Sequence, residues 1–330
     1  MVKLSERQVG LEKHEFIRAL LGVARHAPSS HNTQPWKVKI QKNQLVIGYA
    51  PNRQLTVGDP TKRELFISLG CFIETLVLAG KDMGYEATYA FKGSSPDNVA
   101  LLTFEKIGTS HEEFWLPLIK HRRSNRRLYQ AKEISSKHLA ELEILSDEKA
   151  KLRLFTEPKD IATLTKATYD ATFHAMSNPA FRAELANWVR NNWTRQPDGM
   201  PAYTQGIPGP VSLVAKVVIK KNKKVAKDQA KKDSKRVEHS AAIGLICVDK
   251  ETPAAWIEAG RLYQKACLTA EANHIHTSAI SAAVIVPETV SRIKKKLSIH
   301  NEPIVLLRFG FVKKTVKPTP RLSVDQLLKD

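Results

Sequence analysis

The chain has only three cysteines, Cys71, Cys247 and Cys267, set far apart and each among aliphatic neighbours. A disulfide framework or a zinc site needs paired, closely spaced thiols, so neither is expected. Free cysteines so placed read as small buried hydrophobes. Also missing is the run of about 18 apolar residues that a membrane-spanning helix requires. The richest stretch, Leu65 to Ala79, is shorter and carries Glu74. No apolar run follows the charges of the first residues, so a secretion signal is not expected and the cytoplasm is the expected location. Gly-x-Gly-x-x-Gly and Walker-type loops are absent as well, which removes two common nucleotide-binding classes. His274 and His276 flank Ile275 with no third ligand at sensible spacing, and read as ordinary strand or loop residues rather than metal ligands.

What is present describes a globular chain. Across 330 residues, 42% are hydrophobic and 26% charged, enough to bury a sizeable core. The net charge is +19, of which +8 lies in Lys216 to Arg236, where ten Lys or Arg face only Asp228 and Asp233. Such a charge attracts polyanions. The run lacks the interleaved aromatics of a single-strand binder and matches no helix-turn-helix or zinc finger, so nucleic acid is an unlikely main partner. It reads as a solvated loop or an exposed helix face.

Strands and helices mix along the whole sequence, giving an α+β class. Apolar residues at 16, 17, 20, 21, 23 and 24 form a helical stripe over 14–25, which Pro28 should end. Trp36, Val38 and Ile40 alternate with polar residues as a half-buried strand, paired through a turn with Leu45 to Tyr49. Asp59-Pro60 is a helix start, and the helix over 61–82 is apolar nearly all round, as an interior helix is. Strands near 86–92 and 99–104 follow. Beyond residue 118 come helices around 136–146, 158–175, 180–192 and 253–272, with strands at 151–155, 241–248 and 303–309. Between 196 and 240 lies a Gly/Pro-rich and then basic stretch, too long for a simple connection. It is either mobile or a cover over a site.

Two clusters carry chemistry. Ala27-Pro-Ser-Ser-His-Asn-Thr-Gln-Pro-Trp-Lys37 is a loop braced by Pro28 and Pro35, with hydroxyls on Ser29 and Ser30 and amides on Asn32 and Gln34. A side-chain amide sets a donor beside an acceptor, and so matches part of the pyrimidine edge of a flavin. Taken singly, each residue also suits an ordinary capped turn. Arg122, Arg123, Ser124 and Arg126 form the second cluster. Guanidiniums make paired, charge-assisted bonds to oxyanions, so three of them with a hydroxyl suit a terminal phosphate; alone, they also suit a solvated basic junction. A third, weaker feature is Lys317-Pro-Thr-Pro-Arg321, an extended segment offering Arg321.

These residues resemble the flavin-dependent nitroreductases. That family carries an Arg-x-Ser-x-Arg/Lys segment for the FMN ribityl phosphate and a Pro-Ser-x-x-Asn-x-Gln-Pro-Trp loop that holds the isoalloxazine from the partner subunit. Both match here, as Arg122 to Arg126 and Pro28 to Trp36. The resemblance implies that Arg122, Ser124 and Arg126, with Arg123 alongside, meet the phosphate and ribityl side. It assigns Pro28, Ser29, Ser30, Asn32 and Gln34 to the ring side, and Arg321 to the phosphate. The order departs from the family: here the loop comes first and the arginines follow about ninety residues later. One chain therefore holds one complementary half of each kind. With Asp59 to Glu64, Trp256 to Gly260 and Lys317 to Arg321, the arrangement is similar to the Acg branch, in which two degenerate subunits are fused.

The resemblance implies two pseudo-symmetric halves, 1–118 and 119–330, each with a small, mostly antiparallel sheet packed by helices, and a lid within 194–238. It implies one FMN per chain, NAD(P)H as donor and a nitroaromatic or quinone-type acceptor, with the cofactor doing the chemistry, so no catalytic side chain is expected. FMN storage under the lid is the alternative, and a polyanion binder with a vestigial site is a third reading. Because one chain carries both half-sites, a monomer or weak homodimer is expected, with no membrane partner.

Overall fold

The computed structural model describes residues 6–41, 44–108 and 114–329, and the side chains from residue 14 onward. In the first half, α1 (Glu6–Ala24) leads into β1 (Trp36–Gln41) and β2 (Gln44–Tyr49), then α2 (Arg63–Asp82), β3 (Tyr85–Ser95), β4 (Asn98–Lys106) and α3 (Trp115–His121). In the second, α4 (Ser136–Glu143) precedes β5 (Lys151–Phe155), α5 (Pro158–Ser177), α6 (Pro179–Trp188), β6 (Val189–Arg190), β7 (Met200–Pro201), α7 (Gly209–Ser212), α8 (Ala215–Lys221) and α9 (Val225–Glu238). After these come β8 (Ala242–Val248), α10 (Pro253–Ala272), β9 (His276–Ala279), α11 (Pro287–Lys296), β10 (Glu302–Gly310) and α12 (Val324–Leu327).

The halves repeat one topology. The first sheet is ordered β1-β2-β4-β3 and the second β5-β8-β10-β9, each with four strands, all paired antiparallel. In chain order both read first, second, fourth, third, and a 20-residue apolar helix (α2 or α10) separates the second strand from the third. The two helices pack directly on each other at the centre. The second half differs by a long insertion, α5 to α9, between its first two strands.

Burial explains the strand sequences. On β3, half-buried residues alternate with exposed ones, because one face meets solvent. Every residue of β8 (Ala-Ile-Gly-Leu-Ile-Cys-Val) is buried. Ala242, Ile246 and Val248 point into the main core with α10, while Ile243, Leu245 and Cys247 face a second core formed with α5, α9 and α11. A sheet covered on both sides needs a continuous apolar run, and β8 and β10 supply one.

Several boundaries differ from expectation. α2 begins at Arg63, not 61; Asp59 still serves its start, accepting the Leu65 N–H at 2.9 Å through a carboxylate oxygen. α6 stops at Trp188, where residues 189–190 pair with 200–201 as a parallel bridge. The basic run is largely helical: α9 buries Ala226, Ala230, Arg236 and Val237 on one face, and that face packs on α5. No helix is expected over 287–296, yet α11 lies there, sealing the second core through Ile293. Among the described residues no helix is long and apolar enough to cross a membrane.

Candidate functional site

The loop after α1 adopts a conformation that costs energy by itself. His31, Asn32 and Gln34 all have left-handed φ values of 51°, 55° and 49°, which for non-glycine residues persist only when the surroundings enforce them. The bonds that enforce them come from far along the chain. Gln34 donates its amide N–H to the Pro197 carbonyl at 2.8 Å and accepts the Leu322 N–H at 2.9 Å. Asn32 donates to the Gly199 and Pro320 carbonyls at 3.0 and 3.1 Å, and its oxygen accepts from Arg321 at 2.8 Å. Within the loop, the Ser29 hydroxyl accepts the Gln34 N–H at 3.0 Å and Ser30 donates to Glu64 at 2.5 Å.

The arginine segment is fixed just as firmly. α3 ends with the Arg122 N–H on the Leu118 carbonyl at 2.8 Å. Buried Asn125 then donates its N–H to the Thr277 carbonyl of β9, also at 2.8 Å, and its own carbonyl accepts from the Tyr129 hydroxyl. Ser124 bridges to Thr277 beside it. The segment thus adds an extra edge to the second sheet, where its flanking guanidiniums reach inward.

Loop and segment line one cavity of about 730 Å³, within the range of cofactor and ligand sites. Pro28, Ser29, Ser30, Asn32, Arg122, Arg123, Ser124, Arg126 and Arg321 are all on its wall. Gln34 is not: it is wholly buried with both amide groups spent, so it braces the loop and does not meet a ligand. Asn32 reaches the wall, but its amide too is committed to the backbone of 199 and 320. This corrects the expectation that both amides read a ring edge. Glu64, Tyr263 and Ile280, not expected at the site from sequence, also line the cavity. Glu64 closes the Asp59 to Glu64 segment of the resemblance, but nothing local marks Tyr263 or Ile280; the three arrive from α2, α10 and the turn after β9. Residues 200–236 contribute a large part of the wall, including Ile207, Val218 and Val225.

The site is strongly electropositive. Arg122 and Arg321 both donate to the His26 carbonyl, at 3.2 and 3.4 Å. Yet the buried Nε and Nη1 of Arg122 and Nε of Arg321 have no partner. Among the described residues, Arg25, Arg122, Arg123, Arg126 and Arg321 form no ion pair with a carboxylate. Burial, then Arg122, Arg123 and Arg25, pull the Arg321 guanidinium down to about 9, and burial together with Arg321 and its neighbours pulls the His26 imidazole down to about 4. Arg126 belongs to a second set: burial and Arg236 lower it, and Arg126 in turn helps burial hold His31 at about 4. The five-residue segment therefore serves two positive regions of one cavity. Buried donors without acceptors are costly, and an anion with several oxygens satisfies them.

No family model matches the chain. It is 38% identical over 73 residues to "Putative NAD(P)H nitroreductase Rv3131" of Mycobacterium tuberculosis, a stretch covering 22% of this chain and 21% of that one. It is 28% identical over 142 residues to "Probable NAD(P)H nitroreductase PigM" of a Serratia species, covering 40% of each. These alignments span well under half the length of either relative. A crystal structure of the FMN-dependent nitroreductase NfnB from Mycobacterium smegmatis in complex with NADPH aligns over 64% of this chain and 96% of that one, at 15% identity and a TM-score of 0.44, too low to carry weight by itself. Over the stretches matched in sequence, the chain is similar to proteins named as NAD(P)H nitroreductases.

Proposed function

We propose that the cavity holds one FMN and that the protein is an FMN-dependent NAD(P)H oxidoreductase acting on nitroaromatic or quinone-type acceptors. The observation that carries this reading is the set of buried guanidinium donors on Arg122 and Arg321 that lack acceptors at the wall of a cofactor-sized cavity. Those donors fit a terminal phosphate, which accepts several charge-assisted bonds at once.

Arg122, Arg123 and Arg321 hold the phosphate, with the Ser124 hydroxyl beside them. The backbone of Ser29 and Ser30, fixed by Glu64 and Ser68, forms part of the opposite wall. Arg126 keeps a positive charge in the second region, where it favours negative charge developing on a bound ring system. A bound flavin supplies the hydride chemistry, so the side chains bind, orient and exclude water. Residues 200–236 act as the cover. One chain supplies both half-sites, so a second copy is not needed.

FMN storage is a second reading, favoured by the amount of cavity wall those covering residues contribute. The two separate on one experiment. Purified protein is expected to be yellow with one FMN per chain, and its visible absorbance to bleach on adding NADH or NADPH without oxygen. Colour that persists means storage; protein that purifies colourless and binds no added FMN overturns both.

A further inference from the structure

We propose that the outer face of α7 and α8 docks this protein on an anionic lipid surface. The inference goes beyond the reductase reading. Val211, Leu213, Val214, Val217 and Val218 are 53%, 63%, 53%, 55% and 41% exposed. Val211 and Val218 also border the cavity, whereas Leu213 and Val214, in the turn between α7 and α8, and Val217 of α8 are not among its lining residues. Thirteen large hydrophobic side chains are exposed among the described residues, and five of them fall within these eight positions. Scattered exposed apolar residues are ordinary; a contiguous patch marks an interaction surface. Trp193, 63% exposed, extends the patch, with its indole packed at Gly209, where α7 begins. Indole is the side chain best suited to a boundary between hydrocarbon and water.

Charge identifies the partner. Between Asp198 and Asp228 the chain has no Asp or Glu, and it carries six lysines: Lys216, Lys220, Lys221, Lys223, Lys224 and Lys227. All six are exposed. An apolar patch flanked by unopposed lysines matches a bilayer surface with acidic headgroups, since apolar side chains enter the acyl boundary while ammonium groups meet phosphates. A nucleic acid would satisfy the lysines but leave the valines unmatched. The helices are far too short to span a bilayer, so they lie flat on it. Their inner side is already occupied, with Ser212 buried and Val211, Ala215, Val218 and Ile219 on the cavity wall, so Leu213, Val214, Val217 and Trp193 carry the outward apolar surface. Docking therefore brings the covering segment of the cavity against the lipid.

The test is co-sedimentation of the full chain with vesicles of phosphatidylcholine alone or mixed with phosphatidylglycerol. Binding is expected only to the mixed vesicles, weakening as salt rises. Val214→Ser with Val217→Ser keeps every charge and should reduce binding at least tenfold with an unchanged melting temperature; Lys220→Gln with Lys221→Gln should also weaken it. Tryptophan fluorescence should shift to the blue on binding, and the shift should vanish in Trp193→Phe. No binding to the mixed vesicles at low salt overturns the proposal. So does binding indifferent to the valine changes, which would reflect net charge alone. Valine-dependent binding to polyglutamate that equals the lipid binding would point to an acidic protein partner and overturn it too.

Discussion

Gly70 of α2 and Gly260 of α10 face each other in a reciprocal contact. A Cβ on either would lie 2.9 Å from the Cα of the other. It would also overlap a main-chain carbonyl, that of Ile257 for Gly70 and that of Ile67 for Gly260. The Cys71 thiol closes the contact by donating to the Gly260 carbonyl at 3.1 Å. The absence of two side chains sets how closely α2 and α10 approach.

Gly70→Ala and Gly260→Ala should therefore each destabilise the protein by about 1–3 kcal/mol or more, as overpacking against backbone does. The double variant should cost less than the sum, because the first change already separates the helices. Melting temperatures or urea midpoints check this. Unchanged stability in either single variant would mean the helices are not held at this distance.

Gln34 and Arg122 should behave oppositely. Gln34→Ala removes the partners of the Leu322 N–H and the Pro197 carbonyl, each worth roughly 1–3 kcal/mol when left buried and unpaired. It should lower stability even without flavin. Arg122→Ala with Ser124→Ala relieves repulsion among guanidiniums, so the flavin-free protein should keep its stability. FMN affinity should fall by a few kcal/mol, since each charged hydrogen bond contributes about 1.5–3. Parallel thermal melts and FMN titrations separate the two, and a double variant that purified with full flavin would remove Arg122 and Ser124 from the site.

Inorganic phosphate should stabilise the flavin-free chain by neutralising Arg122, Arg123 and Arg321. At a concentration a hundredfold above its Kd the gain should reach about 2.7 kcal/mol. In Arg321→Met the gain should shrink. An identical phosphate response in the variant would mean that the anion binds elsewhere.

Acid should weaken the fold through two histidines. Burial and nearby guanidiniums hold His26 and His31 at about 4, below their ordinary 6.5. The folded state thus binds fewer protons, and their contribution, whole above pH 6.5, is lost as pH falls toward 4. Asp59 opposes this: burial and then Glu64 raise it from 3.8 to about 7. Its contribution is whole below 3.8 and lost as pH rises toward 7. Two groups outweigh one, so stability should rise with pH between 4 and 6.5. Asp59→Asn should steepen the rise, which urea midpoints across that window would show; a shallower slope would place the Asp59 shift elsewhere.

The parts of the fold set by neighbouring residues were legible early. Apolar spacing in 14–25, alternation from Trp36 and the all-apolar stretch of α2 each point to the element found. So do the two basic and polar clusters, whose members, Gln34 apart, meet on one cavity wall. The misses share a cause. α11 and the buried face of α9 exist because a second core covers the outer side of β8 and β10, and nothing within 225–238 or 287–296 announces that partner. Gln34 looks like a ligand-reading amide until the backbone of 197 and 322 arrives to occupy it.

The sequence by itself determined the α+β class, the interior nature of α2 and the chemical character of each cluster, because periodicity and functional groups are carried by adjacent residues. Only the tertiary structure decided that residues 28–32, 122–124, 126 and 321 surround one space, that Arg126 joins a different charge set from Arg122, and that two glycines nearly 200 positions apart fix the distance between α2 and α10. Those facts depend on which surfaces find each other once water is expelled, and no local pattern in the chain encodes that pairing.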